Sequence, residues 1–159
     1  NSFAYNFGED LYVWQTTQIN IEKMSNKIPA KFFPSLFQEE LDKKYELRIF
    51  YLDGRFFPSV IFSQNDPQTK VDFRNYNRTK PNRVNPFHLP KLVEKKIYIL
   101  MKRLGINSGS IDMVYTKDGR FVFLEVNPVG QFAQVSMPCN YFLEREIAYE
   151  LSNAKTIQL

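Results

Sequence analysis

The chain has 159 residues, of which 43% are hydrophobic and 24% are charged, and its formal net charge at pH 7 is +4. This length is typical of one domain, and this composition is that of a globular protein rather than a disordered one. No apolar run approaches the roughly 18 residues that a membrane-spanning helix needs, so no membrane partner is expected. Because the chain opens on Asn1 without a signal or import pattern, we expect a cytoplasmic part of a longer protein.

A single cysteine and a single histidine limit the available chemistry. Cys139 alone excludes an internal disulfide, and it also excludes zinc sites built from several cysteines. A nucleophile pair of Cys139 and His88 stays formally open, although single residues of these types more often serve packing or surface roles. The positive net charge suits an anionic partner, but a small excess of lysines is common in ordinary domains.

The first predicted elements are strands. Apolar and polar residues alternate over 11–19, and a second short strand is predicted over 36–40. Two further strands, Tyr45 to Leu52 and Arg55 to Ser63, flank Asp53-Gly54. This dipeptide tolerates positive φ and therefore predicts a two-residue hairpin turn.

An irregular segment and a helix follow. Residues from Gln64 to Pro90 are rich in Asn, Pro and Arg, which predicts irregular structure built around Val71 to Tyr76. Pro90 is suited to the start of a helix, and Gly105 is suited to its end. The apolar residues that recur between them at helical spacing are Leu92, Val93, Ile97, Leu100, Met101 and Leu104.

The remaining chain predicts a second hairpin and a final helix. The hairpin strands run from Ser110 to Lys117 and from Arg120 to Val126, with the turn at Asp118-Gly119. Asn140 is expected to cap the N-terminus of the helix. Its inward-facing residues would be Leu143, Ile147, Ala148 and Leu151. The predicted fold class is therefore α+β, an antiparallel sheet with packed helices.

The second hairpin predicts a cluster of oxygen ligands. If Lys117 pairs with Arg120, Asp112 lies opposite Glu125, and Asn127 projects from the same face. Two opposed carboxylates are destabilising on their own, and a hard divalent cation such as Mg²⁺ or Mn²⁺ would reconcile them. Because Mg²⁺ takes few protein ligands and often completes its shell with phosphate oxygens, the cluster points to a nucleotide.

An equally open interpretation needs no metal. The same count pairs Thr116 with Phe121 and Val114 with Phe123, and a bulge would break this register. In the interpretation without a metal, Asp112 pairs with a lysine elsewhere, Glu125 meets solvent, and Asn127-Pro128 only forms the turn.

Two segments resemble a known family. Ser110 to Val114 and Phe123 to Phe132 resemble the C-terminal metal-binding hairpin of ATP-grasp ligases. The Gly130-Gln131-Phe132 continuation and Cys139-Asn140-Tyr141 are most similar to the graspetide or microviridin-type enzymes, especially the grasp-with-spasm maturases, which crosslink ribosomally made peptides. The resemblance covers roughly Phe32 to Leu151. It implies that residues 1–159 are the C-terminal part of an ATP-grasp catalytic domain, without the N-terminal domain and the first half of the nucleotide site.

The resemblance implies roles for the hairpin and for two arginines. Asp112, Glu125 and Asn127 would hold two Mg²⁺ ions that bridge the ATP phosphates. Arg48 would stabilise charge on the transferred phosphoryl group, and Arg74 is a second candidate for that role near the γ-phosphate or the activated carboxyl group.

Nucleotide contacts are also implied. The hinge strand that meets adenine would contain Gln38, Glu39, Glu40 and Leu41. Glu46 would contact ribose or phosphate. For Glu46 and Arg48 the alternative is an exposed cross-strand charge pattern, and for the basic stretch around Arg74 it is a solvated loop or an RNA-binding surface.

By resemblance, the complete enzyme would use ATP to activate an Asp or Glu side chain of a leader-bearing precursor peptide as an acyl phosphate. A hydroxyl or amine of the same peptide would then displace phosphate and form an ester or amide crosslink. No phosphate-binding lysine or glycine-rich phosphate loop is identifiable, so the 159 residues alone are expected to be inactive. The alternatives are a ligase that adds a free amino acid, a binding module without turnover, and a nucleic-acid-binding module, although no nucleic acid is expected. A homodimer is compatible with all of them.

Overall fold

A computed structural model describes residues 4–8, 10–13, 16–24, 29, 31–32 and 34–153. The chain divides into two compact units, which are described separately. The first unit combines Asn1–Asp42 with Ser63–Asn82, and the second combines Lys43–Phe62 with Arg83–Leu159. Among the described residues, no helix is both long enough and apolar enough to cross a membrane.

The first unit contains little regular structure. Strands β1 (Ala4–Phe7) and β2 (Asp10–Val13) form an antiparallel pair, followed by the short helix α1 (Ile21–Met24). The strand predicted over 11–19 is thus wrong for residues 16–19, which are irregular, while residues 14 and 15 lie outside the described residues. The strand predicted over 36–40 is also wrong, because this segment is irregular and exposed and pairs with no described strand.

The other part of the first unit is held by polar side chains rather than by a ladder. A short 3₁₀ helix (Ser63–Asn65) opens it, and buried Thr69 donates its hydroxyl to the Ser63 carbonyl at 2.8 Å. The same hydroxyl oxygen lies 3.0 Å from the side-chain amide of Asn82. The prediction of irregular structure over Gln64 to Pro90 is confirmed in this part of the chain, but it is wrong for Val84–Pro86, which form a strand of the second unit.

The second unit is built on a five-stranded antiparallel sheet with the strand order β5-β4-β3-β6-β7. Its elements in chain order are β3 (Lys43–Leu52), β4 (Arg55–Ile61), β5 (Val84–Pro86), α2 (Lys91–Leu104), β6 (Ser108–Thr116), β7 (Phe121–Asn127), α3 (Ala133–Cys139) and α4 (Leu143–Asn153). The predicted turn between β3 and β4 is confirmed, since Asp53 and Gly54 have φ values of 42° and 88°.

Helix α2 covers one face of this sheet. It begins after Pro90 and ends at Gly105, whose φ of 66° closes the helix in the left-handed conformation, as predicted. Ile97 and Met101 are buried against the sheet, whereas Leu92 and Leu104 at the helix ends are exposed. The sheet residues buried in this main core are Leu47, Ile49, Tyr51, Val60, Ile111 and Met113.

Helices α3 and α4 cover part of the opposite face. Val135 of α3 and Leu143 of α4 are buried with Phe50 and Leu52 of β3. The predicted N-terminal cap is wrong, because Asn140 has a φ of 53° and instead ends α3, a helix that was not predicted.

Helix α4 matches its predicted inner face only at one end. Leu143 is buried and Ile147 packs beside it, but Ala148 and Leu151 are exposed. The helix is also joined to Arg55 by ion pairs with Glu146 and Glu150.

Candidate active site

A polar row crosses the face of the sheet that α2 does not cover. Arg48 of β3 lies between Ser59 of β4 and Asp112 of β6, and Asp112 lies opposite Glu125 of β7. Cross-strand partners project from the same face of a sheet, so these four side chains share one surface. The predicted pairing of Asp112 with Glu125 is confirmed.

The register around that pair differs from the prediction in two places. Tyr115, rather than Thr116, faces Phe121, so five residues separate the partners instead of the four that the predicted turn would leave. The Arg120 amide donates to Thr116 Oγ1 at 2.9 Å across this wider turn. A bulge then places Leu124 as an extra residue between the partners of Met113 and Asp112. The two differences compensate, so that Glu125 returns to the predicted position.

The bulge also changes which side chains neighbour the carboxylates. Phe123 pairs with Met113 and lies on the α2 face, whereas it was predicted to share the carboxylate face with Val114. Val114 instead faces Val122. The apolar neighbour of the carboxylate pair is therefore a valine pair.

Arg48 is bound to Asp112 by two N–H groups on one edge of its guanidinium. Nε donates to Asp112 Oδ1 at 2.8 Å and Nη2 donates to Oδ2 at 2.9 Å. Both side chains are nearly buried, with 11% and 13% of their surfaces exposed. A two-bonded ion pair of this kind fixes the guanidinium in orientation as well as in position. Asp112 thus has a positive partner, but the partner is this arginine and not a lysine.

One glutamine contacts Arg48 and a second glutamine holds the first. Arg48 Nη1 donates to Gln134 Oε1, in the first turn of α3, and Gln134 Nε2 donates to Gln131 Oε1 at 2.7 Å. The segment between β7 and α3 therefore orients the arginine. Sequence reasoning missed Gln134, since nothing in the local pattern indicates that α3 returns to β3.

Glu125 and Asn127 are joined to each other. Asn127 Nδ2 donates to Glu125 Oε1 at 3.2 Å, and because a carboxylate only accepts, the amide must present its NH₂ group to it. Across the ladder, Asn127 lies opposite Ser110. Ser110 was also missed, although a count of two back from Asp112 along the strand places it on the same face.

These side chains form a small oxygen-rich donor set. The part of the chain that the structure describes contains no group of three or more His, Cys, Asp or Glu residues placed to hold a metal. Two carboxylates and one amide remain, which is the number of protein ligands that suits Mg²⁺ when phosphate and water supply the other oxygens. Each Asp112 oxygen accepts one bond from Arg48 and keeps a second lone pair, so the carboxylate can coordinate a cation while the ion pair stays intact.

Glu46 lies two residues before Arg48 on the same strand face. It is 6% exposed and forms an ion pair with Lys43, whose Nζ lies 2.6 Å from Glu46 Oε1. Since Arg48 is nearly buried as well, the alternative of an exposed charge pattern on this strand is wrong.

The other predicted site residues belong to the first unit. Gln38, Glu39 and Glu40 are exposed in the irregular segment, where Glu40 accepts a hydrogen bond from Gln18 at 2.7 Å. Leu41 is half-buried there. The predicted hinge strand is therefore absent from the described residues 34–42, and the adenine contact stays a prediction.

Arg74 is bound within the first unit to Asp72. Its Nε and Nη2 donate to the two carboxylate oxygens of Asp72, each at 2.8 Å. Burial alone would raise the pKa of Asp72, but the bonds from Arg74 and from the Thr16 amide outweigh it and hold this pKa below its usual range.

Cys139 is a poor candidate for a nucleophile. It is buried in α3, and burial raises the pKa of its thiol. A raised pKa lowers the thiolate fraction on which nucleophilic attack depends. The chemistry of the site therefore falls to oxygen ligands and arginine.

Comparison with known proteins finds solved structures that are similar to this chain. No protein-family model and no curated protein matches the chain. Among solved structures, a RiPP-associated ATP-grasp ligase of Chryseobacterium gregarium, in complex with ADP and a leader and core peptide, matches 83% of this chain with 27% identity and a TM-score of 0.74. The chain has the fold of part of an ATP-grasp ligase.

Two further structures support this assignment to the RiPP ATP-grasp fold. The macrocyclase MdnC of Microcystis aeruginosa MRC, bound with precursor peptide MdnA, is 33% identical over 97% of this chain, with a TM-score of 0.77. The macrocyclase MdnB of the same strain is 25% identical over 86% of this chain, with a TM-score of 0.56. The chain covers 40%, 45% and 46% of the Chryseobacterium ligase, MdnC and MdnB, so it spans less than half of each. The predicted ATP-grasp resemblance and α+β class are confirmed.

Proposed function

We propose that these 159 residues belong to a longer enzyme, called the full chain below. This full chain is an ATP-dependent ligase that crosslinks side chains of a ribosomally made precursor peptide. The observation that supports this most strongly is the 33% identity to MdnC over 97% of the chain, since MdnC is a macrocyclase that binds a precursor peptide. ADP and a leader and core peptide are bound by the Chryseobacterium ligase, which supports ATP as the second substrate and a leader-bearing peptide as the partner.

Asp112, Glu125 and Asn127 would hold magnesium in this enzyme. Their donor atoms are oxygens of the kinds that Mg²⁺ prefers, and two ions are proposed because ATP-grasp chemistry must neutralise a triphosphate. Bound Mg²⁺ supplies charge neutralisation at the phosphate oxygens.

Arg48 would provide a fixed positive charge beside the transferred phosphoryl group. Its two bonds to Asp112 and its contact with Gln134 hold the guanidinium before substrate arrives. A preorganised charge of this kind lowers the barrier without a cost of reorganisation during the reaction. Arg74 is proposed as a second contributor, Glu46 as a ribose or phosphate contact, and residues 38–41 as the adenine contact.

The proposed reaction has two steps. A carboxylate oxygen of the peptide attacks the γ-phosphorus of ATP, and ADP leaves to give an acyl phosphate. A hydroxyl or amine of the same peptide then attacks the acyl carbon, the phosphorus-bearing oxygen leaves as phosphate, and the nucleophile loses its proton. The peptide thereby loses one water for each ester or amide formed, and the protein needs no covalent nucleophile.

Mass spectrometry of the precursor peptide tests this proposal. With the full chain, ATP and Mg²⁺, the expected result is the loss of one water's mass per link, and Glu125→Gln should abolish the loss. Glu94→Gln in α2 is the matched control, because Glu94 lies outside the polar row and pairs with Lys91.

Three results would contradict the proposal. A mass gain equal to an amino acid would establish a ligase for free amino acids. ATP hydrolysis with every candidate peptide left unchanged would refute peptide crosslinking. Steeply salt-dependent affinity for RNA that ATP and Mg²⁺ do not compete away would establish a nucleic-acid module.

A further inference from the structure

Ser110 presents an unusual energetic problem in this site. The residue is 2% exposed, and among the described residues its hydroxyl is a buried side-chain group without a hydrogen-bond partner. Burial of a hydroxyl that has no partner destabilises a protein, and native structures contain few such groups. An unpartnered group of this kind calls for a specific explanation.

The loop that follows β7 encloses this hydroxyl. Gly130 approaches Ser110 so closely that a Cβ atom added at Gly130 would collide with the serine side chain and with its backbone amide. The Gly130 amide donates to the Asn127 carbonyl at 3.0 Å, which folds the loop back over the end of the ladder. Ser110 is therefore shielded at the same place where β7 ends in Asn127.

Asn127 is in an orientation that does not suit a metal ligand. Its NH₂ group faces Glu125, whereas a cation held by Glu125 and Asn127 together requires the carbonyl oxygen of the amide to face it. The amide must therefore turn when the ion binds, and the displaced NH₂ group then needs a new acceptor. The register places Ser110 directly across the ladder from Asn127.

We propose that Ser110 is a positioning residue for Asn127, with Ser110 Oγ accepting the Nδ2–H of the amide when Asn127 Oδ1 faces the metal. This inference rests on the proposed metal-binding function of Asp112, Glu125 and Asn127. One hydrogen bond then gives a partner both to the Ser110 hydroxyl and to the NH₂ group that Asn127 turns away from Glu125. Partners of metal ligands commonly act in this way, fixing a ligand's orientation from behind.

The test compares metal affinity with metal-free stability in Ser110→Ala of the full chain. Mn²⁺ affinity is measured with ADP present, by electron paramagnetic resonance of the free ion, and stability is measured by thermal unfolding without metal or nucleotide. We expect Mn²⁺ affinity to fall about tenfold, the lower end of the usual effect of such partners. The metal-free unfolding midpoint should rise by about 2 °C, because an unpartnered buried hydroxyl is removed.

Ser136→Ala is the matched control. Ser136 of α3 lies outside the polar row and is similarly buried, with 3% exposed, but its hydroxyl already donates to Glu144 at 2.8 Å. Its removal should lower the unfolding midpoint and leave Mn²⁺ affinity within about twofold, since no ligand orientation depends on it.

A double-mutant cycle isolates the proposed contact. In an Asn127→Ala background, Ser110→Ala should change Mn²⁺ affinity by less than about twofold, because the amide that it positions is gone. Equal Mn²⁺ affinity of the unaltered protein and Ser110→Ala would overturn the inference, and so would a lower metal-free midpoint of the variant. Failure of the unaltered protein to bind Mn²⁺ would instead refute the proposed function.

Discussion

The two faces of the sheet in the second unit are built from alternate residues of the same strands, yet they carry different tasks. On β3, Leu47, Ile49 and Tyr51 enter the core under α2, whereas Arg48 lies in the polar row and Glu46 projects from the same face. The apolar face depends on volume, because its side chains interchange as long as they fill space. The polar face depends on register, because a slip of one residue would send every charged side chain into the core.

The largest expected effect is on the apolar face and on stability. Ile49 is fully buried in the main core. Ile49→Ala should lower the free energy of unfolding by about 4 kcal/mol, since it removes buried volume and leaves a cavity. Urea unfolding measures this effect, and Leu92→Ala, at an exposed residue of α2, is the control with an expected change below about 0.5 kcal/mol. A loss below about 1 kcal/mol for Ile49→Ala would show that the core is not where the structure places it.

The next effect is on the polar face and on turnover. Glu125→Gln should lower kcat at least about 100-fold, equivalent to about 2.7 kcal/mol, because the neutral amide attracts a metal ion much less than the carboxylate does. Stability should change little, since Glu125 is only half-buried and its partner is one amide of Asn127. ATP turnover and urea unfolding on the same preparation separate the two effects. A stability loss as large as that of Ile49→Ala would mean that the two faces are not functionally distinct.

The sequence predicted the structural features that depend on local chemistry better than those that depend on distant residues. Local chemistry settled the Asp53-Gly54 turn and the Gly105 helix end, because positive φ values allow few residue types. Residues 36–40 belong to a mixed run in which a strand is predicted, but they pair with none of the described strands, which no local pattern reveals. Asn140 illustrates an ambiguity, since asparagine favours both the start of a helix and the left-handed residue after its end.

The candidate site was predictable from the sequence only where it depends on strand register. The opposition of Asp112 and Glu125 was predicted from a two-residue turn, and it holds only because a wider turn and a bulge at Leu124 compensate. Gln134 reaches Arg48 from 86 residues away. Contacts of this kind depend on tertiary packing and cannot be read from periodicity.

A smaller effect is expected at Arg48, which connects the polar row to α3. Arg48→Ala should lower kcat about 30-fold, equivalent to about 2 kcal/mol, and leave ADP affinity within about twofold, because its charge is needed where negative charge develops. Steady-state kinetics together with ADP titration measure both quantities. Arg103→Ala, at a residue near the end of α2, serves as the control for the loss of one positive charge. Weaker ADP binding with unchanged kcat would make Arg48 a ground-state phosphate contact instead.

The smallest effect is expected in the first unit, at the ion pair between Asp72 and Arg74. Asp72 is 6% exposed and Arg74 is 30% exposed, so Asp72→Asn should cost about 1–2 kcal/mol at pH 7. Because the pKa of Asp72 is lower in the folded protein than in the unfolded chain, its contribution is present above the unfolded value of about 4 and is lost as the pH falls through the folded value. Urea unfolding at pH 7, 5 and 3 should therefore show the protein and the variant converging at the lowest pH. A difference that persists unchanged at pH 3 would show that Asp72 stabilises the unit through packing and not through its charge.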